Sequence, residues 1–84
     1  MTEGVLLLNW REHISVDPNV CHGKACIRGT RVMVSVVLDN LAEGESHAAI
    51  ADAYRIGLDD VQSALNYAAE LARERIISLP ASAP

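Results

Sequence analysis

Apolar and polar positions along the chain change their spacing near residue 33. Before that point the signals are short. Val5-Leu6-Leu7-Leu8 is a continuous apolar tetrad. It suits a short strand buried on both faces, or one that pairs with another chain. His13-Ile14-Ser15-Val16 alternates polar and apolar residues, as a half-buried strand does. Asp17-Pro18-Asn19 follows as a turn in which Pro presets φ and Asp bonds its own backbone. His22-Gly23-Lys24 reads as a second turn, and Ala25-Cys26-Ile27 as another short strand. Arg28-Gly29-Thr30-Arg31 is a tight connection in which Gly29 can take a positive φ.

From there the period becomes helical. Val34, Val37, Leu38 and Leu41 share one face, and Gly44 stops that helix at the position after its cap. Ser46 is a good N-cap for a second helix reaching about Tyr54, with Ile50, Ala51 and Tyr54 on its inner side. Arg55-Ile56-Gly57-Leu58 connects it to a third. Asp59 is expected to cap that third helix, with Gln62 closing a capping box and Asp60 favouring the helix dipole. Its apolar stripe runs Val61, Leu65, Ala68, Ala72 and Ile76, widened by Ala64, Tyr67 and Leu71. Leu79-Pro80 ends it. Residues 1–80 therefore read as one domain and 81–84 as a frayed tail, with neither repeat nor linker. Two helices joined by a short turn have the spacing of a helix-turn-helix unit. The predicted fold class is mainly α, with short N-terminal strands and a trihelical core.

Composition sharpens this picture. The chain has 84 residues, half of them hydrophobic, which excludes both a disordered tail and a multidomain enzyme. Without Phe, and with one Trp and two Tyr, the core must be aliphatic. A chain this short buries only about 60% of its unfolded surface. So much aliphatic surface on so small a domain predicts a homodimer or a bound partner. Glu3 stands where a leader peptide would be positive, and the Val5–Leu8 run is far too short to span a bilayer. The expected location is the cytoplasm, with no membrane association, and Cys21 and Cys26 are expected there as reduced thiols.

The net charge of −4 argues against strong non-specific nucleic-acid binding. That charge is uneven. Arg11, Lys24, Arg28 and Arg31 make the first part slightly basic, whereas the helical region carries most of the Asp and Glu. A basic loop sits on an acidic body.

Candidate chemistry follows from these residues. Cys21-His22 are neighbours in a turn, which does not set up a nucleophile, a base and an orienting group, so an enzyme is not expected. Cys21, His22 and Cys26 lack a second ligand pair at zinc spacing, and His13 and His47 do not supply one; no metal, cofactor or small-molecule substrate is expected. Lys24, Arg28 and Arg31, with Thr30 between them, offer two guanidinium forks on a Gly-containing turn, suited to carboxylates or phosphates. The plain alternative is solvated charges that keep two short strands soluble, or an Arg paired with Glu12 or Asp17. On the third helix Gln62, Ser63 and Asn66, with Arg55 before it, are the candidate DNA contacts, and Gln62 or Asn66 can read adenine. Asp59 and Asp60 oppose that use, and so few cations per chain would require at least a dimer.

Ile14-Ser15-Val16-Asp17-Pro18, Gly23-Lys24, Ile27-Arg28-Gly29-Thr30-Arg31-Val32, Leu41, Gly44, Leu58-Asp59-Asp60-Val61 and Ala64-Leu65-Asn66-Tyr67-Ala68 resemble family 433 of the domains of unknown function. The likeness covers about residues 13 to 70, and the Ile-Arg-Gly-Thr-Arg string is its most specific element. It implies a homeodomain-like helix-turn-helix and the role of antitoxin in a type II toxin–antitoxin module, often beside a PIN-like ribonuclease toxin. On that reading Lys24, Arg28, Thr30 and Arg31 meet the toxin, while Arg55, Gln62, Ser63 and Asn66 meet operator DNA. The alternative is a stand-alone dimeric DNA-binding regulator. The chain departs from the family at Ala25, Val32-Met33 and Arg55-Ile56-Gly57, where Pro or Pro-Gly is common, and at Asp59, where Ser or Thr is usual. Among these changes Asp59 adds negative charge where DNA would lie.

Overall fold

The computed structural model describes residues 8–74. The tetrad before Leu8, Arg75, Ile76, the Leu79-Pro80 stop and the 81–84 tail lie outside them. In chain order come a 3-10 turn at Trp10–Glu12, strand β1 at Ile14–Ser15, a 3-10 turn at Cys21–Gly23, and strand β2 at Cys26–Ile27. Helices α1 (Val34–Ala42), α2 (His47–Tyr54) and α3 (Leu58–Glu74) follow. The domain is mainly helical, with one small antiparallel sheet.

β1 pairs with β2 in the register Ile14 to Ile27 and Ser15 to Cys26. The strands are shorter than the alternation predicts, because Val16 turns into solvent and is 62% exposed. Between β2 and α1 the chain makes a tight turn closed by Thr30 N–H to the Ile27 carbonyl at 3.0 Å. Gly29 holds φ +80° at its third position, which an L side chain would resist.

Caps define the helices. α1 ends in a Schellman motif: Glu45 N–H reaches the Asn40 carbonyl at 3.1 Å and Gly44 N–H the Leu41 carbonyl at 3.0 Å, with Gly44 at φ +95°. α2 starts as the sequence implies, its Ser46 Oγ accepting from Ala49 N–H at 3.0 Å. α3 starts earlier than predicted. Gly57, not Asp59, precedes the first turn, since its carbonyl accepts from Val61 N–H at 3.2 Å. Asp60 then occupies the third helical position and reaches back, its Oδ2 accepting from Gly57 N–H at 2.8 Å. One half of the capping box thus forms two residues upstream: Asp60 takes the role expected of Gln62, and Gly57 has no side chain to reciprocate.

Ile14, Ile27, Val34, Val37, Ile50, Val61 and Ala64 form the core, with Trp10, Leu38, Leu41 and Tyr67 against it. α3 is the central element and touches α1, α2, β1 and the Trp10–Glu12 turn. Tyr67 meets Trp10 edge to face, ring centroids 5.1 Å apart. Asn40 Nδ2 donates to the Tyr54 hydroxyl at 3.0 Å and couples α1 to α2.

The two cysteines correct one expectation. Cys21 and Cys26 are joined as a disulfide, with Cα atoms 6.8 Å apart. An argument from cellular compartment sees cysteine number and context. It does not see that the β1–β2 loop folds its ends together.

Candidate functional site

The Arg28-Gly29-Thr30-Arg31 turn frames a cavity of about 610 Å³, completed by Ser15, Asp17 and Val20. The sequence groups Lys24, Arg28, Thr30 and Arg31 as one surface, and the structure divides them. Arg28 Nε donates to the Glu12 carbonyl at 3.1 Å, and its Nη2 donates to the carbonyls of Arg11 at 3.1 Å and Ile14 at 2.9 Å. Its guanidinium therefore pins the Trp10–Glu12 turn and β1 to the hairpin. A planar fork of donors fits backbone carbonyls as well as carboxylates. Thr30 is also internal to the turn: its Oγ1 donates to the Ile27 carbonyl at 2.7 Å and accepts from Val32 N–H at 3.0 Å.

Arg31 differs. It is exposed, borders the cavity, and its side chain has no hydrogen-bond or ion-pair partner among the described residues. Asp17, which also lines the cavity, accepts from Asn19 N–H at 2.8 Å. Lys24 is exposed but faces another recess, lined by Val34, Leu38, Tyr67 and Leu71. Among the described residues the turn thus presents one guanidinium without a partner, on a scaffold that its neighbours lock.

On the helical side the candidates also separate. Arg55 caps α2 in the left-handed conformation (φ 56°) and is exposed. Gln62 Nε2 donates to Asn66 Oδ1 at 3.1 Å, so these part-buried amides face one another. Ser63 has to be withdrawn from the exposed set: it is 0% exposed, and its Oγ has no partner among the described residues. Covering α3 on several sides buries a position that a single apolar stripe would leave outside.

Asp60 is likewise not aimed outward. Its Oδ1 lies 2.9 Å from His13 Nδ1, a contact between residues 47 apart in sequence. Nothing local in the sequence signals it. Arg11 stacks over Trp10, 4.4 Å from the ring centroid. Among the described residues no group of three or more His, Cys, Asp or Glu side chains could hold a metal ion.

A family model described as "Protein of unknown function (DUF433)" matches residues 14–68. The chain belongs to the DUF433 family. The match takes in the sheet, the arginine turn, α1, α2 and most of α3. Among solved structures, the X-ray crystal structure of Rv2018 from Mycobacterium tuberculosis is similar to this DUF433 chain, at 30% identity and a TM-score of 0.61. The likeness covers 70% of this chain but only 28% of that one. No curated protein matches the sequence.

Proposed function

We propose that this chain is the antitoxin of a type II toxin–antitoxin module, which binds and neutralises a PIN-like ribonuclease toxin and, as a homodimer, represses its own operon. It acts by binding and transforms no substrate. The observation that carries the reading is Arg31, a guanidinium with no partner among the described residues, beside a cavity on a turn held by Arg28 and Thr30. A PIN-type nuclease gathers carboxylates around its metal ions. A guanidinium delivered there pairs with those carboxylates bidentately and displaces the metal. The acidic helical body suits a basic, RNA-binding partner and speeds the encounter.

The test is nuclease inhibition, measured with the PIN-like protein encoded in the adjacent reading frame. Arg31→Glu should weaken inhibition at least about 30-fold, in line with the roughly 2–5 kcal/mol that truncating a buried interfacial charge costs. Undiminished inhibition by a folded Arg31→Glu variant, or no such nuclease next door, overturns the reading.

A second reading has its own support. α2, the three-residue connection Arg55–Gly57 and α3 are consistent with a homeodomain-like helix-turn-helix. Asp60 turns toward His13, which reduces the negative charge facing outward at the start of α3. On this reading the chain is a stand-alone dimeric DNA-binding regulator. A mobility-shift titration with the upstream DNA must then weaken steeply as salt rises, and a salt-independent shift counts against it.

A further inference from the structure

We propose that the Cys21–Cys26 bond is a thiol–disulfide exchange site whose state fixes or frees one wall of the Arg31 cavity. The loop from β1 to β2 contains three consecutive residues at positive φ: Cys21 at 52°, His22 at 57° and Gly23 at 80°. Glycine tolerates this region; a Cβ makes it costly for Cys21, and less so for His22, a residue type that visits it more often. Such a conformation persists only where its surroundings over-determine it.

Here the restraints are few. Gly23 N–H donates to the Val20 carbonyl and Lys24 N–H to the Cys21 carbonyl, each at 3.0 Å. The disulfide supplies the remaining tie, anchoring the turn to Cys26, which is 0% exposed in the core. Loss of that tie removes the anchor from a left-handed segment otherwise held by two turn hydrogen bonds. Val20, directly before it, lines the Arg31 cavity. Cys21 Sγ lies 3.5 Å from the Arg31 carbonyl. The sulfur pair therefore adjoins both the cavity wall and the backbone of the residue that the cavity presents.

The two sulfurs are unequal in access, which sets the chemistry. Cys21 is partly exposed and Cys26 is buried. A dithiol reductant attacks Cys21 Sγ as thiolate, the Cys21–Cys26 bond breaks, and its electron pair leaves on Cys26 Sγ, which takes up a proton. The reductant's second thiol then displaces Cys21, leaving two thiols in the protein and a cyclic disulfide in the reductant.

The proposal does not require the antitoxin reading, because its readout is the loop itself. The full-length protein is equilibrated in air or with dithiothreitol. Thiols are counted with a maleimide, and tryptic cleavage after Lys24 is timed by mass spectrometry. The expected result is no reactive thiol in the oxidised protein, two after reduction, and cleavage at least about tenfold faster with the helical circular dichroism unchanged. Cys21→Ser should cleave at the reduced rate under both conditions; it leaves the buried Cys26 in place should Cys26→Ala fail to fold. Free thiols after air equilibration, equal cleavage in the two states, or loss of the helical signal on reduction each overturn the proposal.

Discussion

Arg28 offers the sharpest test of how the site is built, because its commitment to the backbone separates structure from binding. Replacing it with Ala removes donors from the carbonyls of Arg11, Glu12 and Ile14. A hydrogen bond involving a charged partner contributes about 1.5–3 kcal/mol when shielded. Only the Ile14 contact is part-buried, whereas the other two are exposed and solvent competes for them. The sum is then about 2 kcal/mol, or a fall in Tm of roughly 10 °C for a domain of this size. Urea unfolding followed by helical circular dichroism measures it. Arg31→Ala is the control and should stay within about 0.5 kcal/mol of the parent. Arg28→Lys keeps the charge but not the fork, and should recover less than half of the loss. A loss below about 0.5 kcal/mol for Arg28→Ala would refute the pinning role and return Arg28 to the free binding surface.

Other expectations follow from the same contacts. Asp60→Ala removes both the cap on Gly57 N–H and the partner of His13, so stability should drop by about 1–2 kcal/mol; an unchanged urea midpoint would contradict that pairing. Ser63→Ala deletes a buried hydroxyl that lacks a partner among the described residues, and should be neutral or stabilising by about 1 kcal/mol, with a clear loss as the refuting result. Gly29→Ala meets open space but forces a side chain onto φ +80°, so it should cost about 1 kcal/mol through backbone strain, which a denaturant midpoint will show. If the α3 surface reads DNA, Arg55→Ala should flatten the salt dependence of binding by close to one counterion per chain; an unaltered slope removes Arg55 from the interface.

The helices were legible because their signals are local. Ser46, Gly44 and the spacing of Val34, Val37, Ile50 and Val61 each act within one or two turns, and each falls where expected. The start of α3 is not legible in the sequence because two adjacent aspartates, Asp59 and Asp60, are both able to cap it. Which carboxylate turns inward is set by its two partners, Gly57 N–H and His13 Nδ1, and the second lies 47 residues away. The arginine turn was visible as a feature, but its division of labour was not. Arg28 and Arg31 are the same residue type three positions apart, and what distinguishes them is the set of carbonyls that the Trp10–Glu12 turn brings near one of them. The burial of Ser63 escapes the sequence for a related reason, since periodicity assumes one buried face and α3 has neighbours on several.

The sequence contains one tryptophan, and it sits where the N-terminal turn meets the longest helix, edge-on to Tyr67. Its fluorescence is therefore a label-free reporter of that seam. If emission shifts before ellipticity falls during unfolding, the segment around β1 detaches as a separate cooperative unit. If the two signals move together, the small sheet and the helices melt as one.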